Sequence, residues 1–325
     1  MYKINLEKII SGDIILTRSS SRESILIRQI SKCDYSHALL YVGVGSCIES
    51  DGLGVQSQNL QRLLFENPDD VLILRLNENN DAIPGAIVFA RQKVGTEYST
   101  SEARIARLEN DLKAKEENRQ FCTRFVAQAY ESSGVKIVSN PDYCSPQDIL
   151  ESKFLSIIND PILEASEAEI AFVNGKDNPL EKQTQIHNFI FESARNISKQ
   201  DIQTFEQLGN YIIANPQKDD EITEIVIKSG YLEMWKMDVD KNPWHYDYKE
   251  FLNHYKNPNQ RKEVGYFFAS SEHQTRERFI YSLNANQEAF AFCGLKFFKT
   301  QVDLYRKLID LSEQREFVGL LALKN

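Results

Sequence analysis

Cys122 stands in the run Arg119-Gln120-Phe121-Cys122-Thr123-Arg124-Phe125-Val126-Ala127-Gln128-Ala129-Tyr130, whose apolar spacing predicts a helix with the cysteine in its first turn. The helix dipole and the backbone N–H groups of a first turn draw such a thiol toward thiolate. Upstream, Tyr35-Ser36-His37-Ala38-Leu39-Leu40-Tyr41-Val42-Gly43 puts a histidine at the start of a strand. His37 is the only histidine before His187, so any imidazole chemistry in that half of the chain must use it. Together the two make a candidate nucleophile and base.

A third group would hold the imidazole. Gly43-Val44-Gly45 reads as a hairpin turn. With a three-residue loop, residue 42 pairs with 46 and residue 39 with 49, which sets Glu49 diagonally from His37 on one sheet face. Glu49 would then accept the ring N–H and steady the imidazolium. A two-residue loop sends Glu49 to the other face, and Asp51, on Glu49's side of the strand, is the rival orienter. Each residue alone has a plainer reading. Cys122 shares its helix face with Phe125, Val126 and Ala129, and most buried cysteines are inert. A strand-start histidine is more often structural, and Glu is common on strand edges. Cys33, in a loop with no helix terminus beside it, and Cys47, in a strand, are weaker thiols. Tyr98 is a candidate oxyanion donor, although core aromatics are commoner and the Cys122 backbone N–H is the better one.

The elements that must position these groups alternate through residues 1–155. Gly12-Asp13 turns into a strand at Ile14–Thr17, and Ser20 or Ser21 caps a helix through Ile30. Strands follow at Ala38–Val44, Cys47–Ser50 and Val71–Leu76, while Pro84–Val94 fits a helix or a strand. Ser101–Arg119 is a charged amphipathic helix or a mobile insertion. Gly134 caps the Cys122 helix, and Ser145-Pro146-Gln147-Asp148 starts another. From residue 156 helical patterns dominate: Glu181–Ser198, Asp201–Asn215, Glu221–Met237 and a long stretch from Thr275 to Glu316. Breaks fall at Asn178-Pro179, Asn215-Pro216, Asn242-Pro243 and Asn257-Pro258. The expectation is an α+β domain over 1–155, then a mostly helical domain over 156–325.

Composition narrows the function classes. The chain has 325 residues, 42% apolar and 26% charged, which describes a folded globular protein. Its net charge is −9, and neither half carries a basic excess, so a nucleic-acid role is rejected. Five cysteines without paired spacing argue against a disulfide framework. No apolar run is long enough to span a membrane, and the first residues lack a signal-peptide layout, so a cytoplasmic location is expected, with export by a route that needs no cleavable signal as the alternative. His187, His245, His254 and His273 have no metal-ligand spacing, no Cys-x2-Cys occurs and no glycine-rich phosphate loop is present. No cofactor and no metal are therefore expected. Trp244-His245-Tyr246-Asp247-Tyr248 reads as helix packing more readily than as a contact patch.

The order of several short segments resembles the circularly permuted branch of the NlpC-type papain-like hydrolases, the YiiX-like amidase or peptidase family. The matching pieces are Ser11–Leu16, Tyr35–Gly43, Cys47–Ser50 with Gly54-Val55, Gly95–Ser99, Phe121–Val126 and Ser145–Leu150. The resemblance covers about residues 8–155, and in that branch the histidine strand precedes the cysteine helix, as here. It implies a permuted papain-like domain, an antiparallel sheet packed on helices, with Cys122 as nucleophile, His37 as base and Glu49 as orienter. The implied activity is hydrolysis of an amide in a peptide, an isopeptide or a cell-wall peptide, through an acyl-enzyme. Alternatives are a lipid acyl-ester hydrolase or acyltransferase on the same fold, and a catalytically idle scaffold for protein interaction. Nothing in 156–325 matches that family, and this half is expected to recognise substrate or a protein partner.

Overall fold

The computed structural model describes residues 1–98, 119–175 and 178–324. The chain divides into two compact units, Met1–Thr184 with Gln203–Phe205, and Gln185–Ile202 with Glu206–Asn325. The segment expected as a charged helix, Ser101–Arg119, lies outside the described residues except for Arg119.

In the first unit the elements are β1 (Tyr2–Ile4), β2 (Ile14–Thr17), α1 (Arg22–Ser31), β3 (His37–Gly43), β4 (Ser46–Asp51), β5 (Gly54–Asn59), β6 (Val71–Leu76), α2 (Ile83–Gln92), α3 (Cys122–Ser132), α4 (Pro146–Leu150), β7 (Leu155–Ile157), β8 (Ile162–Glu164) and α5 (Glu167–Asn174). Six strands form one sheet in the order β5-β4-β3-β2-β6-β7, and β1 pairs with β8. Every pairing is antiparallel. The unit extends beyond residue 155 because β7 adds to the sheet edge and β8 closes on β1.

The central strands are apolar along their length because both sheet faces are covered. Ile14, Leu16, Leu40, Val42, Ile48 and Leu74 pack with α2 and α3, whose Ala86, Ala90, Phe125, Val126 and Ala129 are fully buried. Ile15, Leu39, Tyr41, Cys47 and Ile73 meet Ile4, Ile9, Leu60 and Phe65 on the other side. The ambiguous stretch at Pro84 is helical: Pro84 falls in the first turn of α2, and Ala86 and Ala90 recur one turn apart on its buried side. The polar strand β5, whose residues do not alternate, is held by its ladder to β4 at the sheet's edge. Ser21 caps α1, and Ser145 with Asp148 forms a capping box on α4. Buried Asp13 pairs with Arg75 at 2.7 Å and so ties the start of β2 to β6.

In the second unit the helices are α6 (Pro179–Ser198, whose first turns belong to the first unit), α7 (Phe205–Ala214), α8 (Asp219–Lys228), α9 (Trp235–Lys241), α10 (Tyr248–His254), α11 (Pro258–Cys293) and α12 (Lys296–Lys324). Each Asn-Pro step starts a helix or a 3-10 turn, and Asn257 caps α11 through the Asn259 N–H. The long helical stretch expected from Thr275 to Glu316 divides between two helices. Gly294, at φ 67°, reverses the chain between α11 and α12. Asp219 then caps α12 from outside, accepting the Lys296 N–H at 2.6 Å and the Phe297 N–H at 2.9 Å. Glu221–Met237 likewise breaks at Gly230, φ 81°. Trp244 and Tyr248 pack against Phe251, Phe268 and Val318, and Trp244 stacks on His254 at 3.7 Å. Among the described residues no helix is long and apolar enough to cross a membrane.

Candidate active site

Cys122 is the first residue of α3 and His37 the first residue of β3. Both lie at element ends, where a side chain can leave the packed layer without opening the core. Cys122 is nearly buried, at 6% exposure, while His37 keeps a quarter of its side chain accessible. The chain ahead of His37 is pinned by the Ser36 N–H on the Thr17 carbonyl, 2.9 Å, and by a Ser24–Ser36 hydroxyl pair at 2.7 Å.

The β3–β4 hairpin determines which carboxylate reaches the imidazole. Its loop is two residues, Val44 and Gly45, at φ 52° and 69°, between the paired Gly43 and Ser46. That loop alone would turn Glu49 to the opposite face. The register shifts between Tyr41 and Gly43, leaving Val42 as an extra residue, and the shift restores the pairing Leu39–Glu49. The expected pair 39–49 therefore forms, while residue 43, not 42, faces Ser46.

Glu49 Oε2 lies 2.6 Å from His37 Nε2. Asp51, the rival, turns elsewhere: its carboxylate accepts the Leu53 N–H at 2.8 Å and the Gln56 side-chain amide at 2.9 Å. Cys122 is near enough to His37 for its charge and hydrogen bonding to act on the imidazole. Burial works against a charged His37. The Cys122 charge and hydrogen bond, with those of Glu49, outweigh it and hold the imidazole's pKa well above the ordinary histidine value. Glu49 moves the opposite way. Burial would raise its carboxyl, but the His37 bond and charge, with a hydrogen bond from Gln58, hold it below the usual carboxylate value. Burial pushes the thiols of Cys33, Cys47 and Cys144 above the ordinary cysteine value.

The segment entering α3 is bound from several sides. The Gln120 N–H donates to the Glu97 carbonyl at 3.0 Å, and Tyr98 and Gln120 form a parallel bridge. One layer outward, the Val55 N–H donates to the Thr96 carbonyl at 2.7 Å, so residues 95–98 join β5 to the stretch before Cys122. Tyr98 thus flanks the segment two residues before the cysteine through its backbone. Sequence reasoning missed Gln58, Thr123 and Arg124. Arg124 had a readable signal, a cation set among Phe125, Val126 and Ala127 on a helix that is buried almost all round.

Residues 8–147 match the family model described as a permuted papain-like amidase enzyme, YaeF/YiiX, C92 family. This is the family that the ordered motifs resemble, and its chemistry is cysteine-type amide hydrolysis. Among solved structures, one described as the metalloprotein YiiX from Escherichia coli O157:H7 is similar at 19% identity. That likeness covers 46% of this chain and 97% of that one, with a TM-score of 0.38. No curated protein matches.

Proposed function

From a first domain that matches the permuted papain-like amidases, we propose that the protein is a cysteine hydrolase that cleaves an amide through an acyl-enzyme on Cys122. The observation that carries this reading is His37, bonded through Nε2 to Glu49 at 2.6 Å and raised in pKa by its neighbour Cys122. With Nε2 engaged by Glu49, Nδ1 is the ring nitrogen that serves the sulfur. In the resting site the raised His37 pKa favours an imidazolium beside a thiolate.

Thiolate attack on the amide carbonyl forms the C–S bond, and the Cys122 backbone N–H, at the helix start, receives the oxyanion. His37 passes its proton to the leaving amine as the C–N bond breaks. The imidazole then takes a proton from water, which hydrolyses the thioester and frees the acid. Glu49 keeps the ring oriented throughout. The substrate class is a peptide, isopeptide or cell-wall peptide amide. Residues 8–147 carry the chemistry, and the helical unit that begins at Gln185 recognises the substrate or a partner.

The test is alkylation of the full chain with iodoacetamide at neutral pH, beside a panel of peptide amides and acyl esters. Cys122 is expected to alkylate faster than the other four cysteines, and Cys122→Ala to abolish amide turnover. Equal rates at all cysteines, with turnover intact in Cys122→Ala, overturn the reading. Turnover of acyl esters alone replaces it with a lipid acyl-ester hydrolase.

A further inference from the structure

The helix that starts at Cys122 has Phe121 at its N-cap in extended conformation, a side chain that makes no capping hydrogen bond. The anchoring side chains come from within the first turn instead. Thr123 donates its hydroxyl to the Cys144 carbonyl at 2.6 Å. Arg124, with no exposed surface, donates Nε to the Asp142 carbonyl at 2.8 Å and Nη1 to the Arg119 carbonyl at 3.2 Å. The Phe121 and Tyr143 rings lie 4.6 and 5.0 Å from its guanidinium carbon. Beside it, Gln120 donates to Gln128 at 2.8 Å, and Gln128 donates to the Asp142 carboxylate at 2.6 Å.

Burying a guanidinium is costly, and a core-facing helix position ordinarily takes an apolar side chain. The two carbonyls that Arg124 holds belong to the chain entering the nucleophile's helix and to the loop beside it. A planar fork reaches both at once, whereas a lysine ammonium is a single point on a flexible stem. We propose that Arg124 is a positioning residue for Cys122: by clamping the Arg119 and Asp142 carbonyls it fixes the turn into the helix, and with it the direction in which Sγ meets His37. The proposal rests on Cys122 being the nucleophile.

The test follows iodoacetamide alkylation of Cys122 and Cys33 against pH in the full chain, with the modified peptides resolved by mass. Buried Cys33 serves as the internal monitor of folding, since unfolding would speed its reaction. In Arg124→Lys and Arg124→Met the Cys122 rate is expected to fall on the order of 10- to 100-fold, as for a misplaced reacting group. The acid limb of the profile should move to higher pH, with the Cys33 rate unchanged. Tyr143→Leu leaves the guanidinium in place and removes one ring; it is expected to slow Cys122 several-fold, and it decides the matter if the Arg124 variants unfold. Cys122 rates and pH limbs equal to wild type in folded variants overturn the positioning role. Full reactivity in Arg124→Lys alone also overturns it, because charge without the fork then suffices. Should wild-type Cys122 react no faster than Cys33, the nucleophile reading itself fails and the positioning role falls with it.

Discussion

His37 and Glu49 meet at 2.6 Å because one residue of the hairpin between them, Val42, is set out of the ladder. A two-residue turn reverses the side-chain parity that the bond requires, and the bulge reverses it back. The charge relationship in this site therefore depends on a backbone irregularity several residues away from either charge.

Deleting Val42 tests that reading of the register. Gly43–Ser46 should then be followed directly by Tyr41–Cys47, a regular two-residue hairpin that still pairs Leu39 with Glu49. The expected result is that rapid Cys122 alkylation is kept, with the circular dichroism of the chain retained. Loss of that reactivity in a folded variant would show that Val42 does more for the site than correct the register.

Glu49→Gln keeps the shape of the orienting group and removes its charge. A fall in kcat/KM on the order of 10²- to 10⁴-fold is expected for an orienter of this type. The alkaline limb of the rate profile should move to lower pH, because His37 loses part of what raises its pKa. A limb that stays in place would assign the raised pKa to Cys122 alone.

The same pair makes stability depend on pH. His37 has a raised folded pKa, so its contribution is complete below the ordinary histidine value of 6.5 and is lost as pH rises through the folded value. Glu49 is lowered, so its contribution is complete above 4.5 and is lost as pH falls through its folded value. The difference in urea midpoint between wild type and Glu49→Gln should be greatest between those two ordinary values and shrink on either side. A difference that is flat with pH would remove the pair from the stability of the fold.

In the helical unit, Gly265 and Gly319 mark a close crossing of α11 and α12. A Cβ at Gly319 would lie 2.7 Å from the Gly265 carbonyl oxygen and 2.9 Å from the Ala269 nitrogen, both backbone atoms that cannot step aside. Gly319→Ala is expected to cost about 1–3 kcal/mol in urea unfolding, the range for overpacking. Gly52→Ala, where an added Cβ meets nothing within 4 Å, should change stability by less than about 0.5 kcal/mol.

What could be read from the sequence follows from the range of the forces involved. Ile14–Thr17 and Val71–Leu76 match the strands read from the sequence because apolar β-formers between turns report directly on burial. The Ser21 cap and the Ser145–Asp148 box are local hydrogen bonds, written in neighbouring residues. The bulge at Val42 was hidden, since register is decided by pairing across strands and by the turn's backbone angles. β5 was hidden as well, because Gln56, Ser57 and Gln58 are held by a ladder and not by burial. The reversal at Gly294 was overlooked although the glycine was in plain view, because the apolar pattern continues through it. In the site, residue types identified Cys122, His37 and Glu49 as candidates. Arg124 stood out as a cation on an apolar helix, but the partners of Thr123 and Arg124 were out of reach, since each bonds backbone carbonyls that no side-chain pattern encodes.

The bridge between Tyr98 and Gln120 brings two distant points of the chain side by side, just ahead of the cysteine. The Gln120 N–H on the Glu97 carbonyl adds a second tie at the same place. The cost of joining two points of a chain grows only with the logarithm of their separation, by about 0.6 kcal/mol per doubling. The station of the cysteine is thus set by what holds Gln120, and the count of residues separating it from Tyr98 is a weak variable.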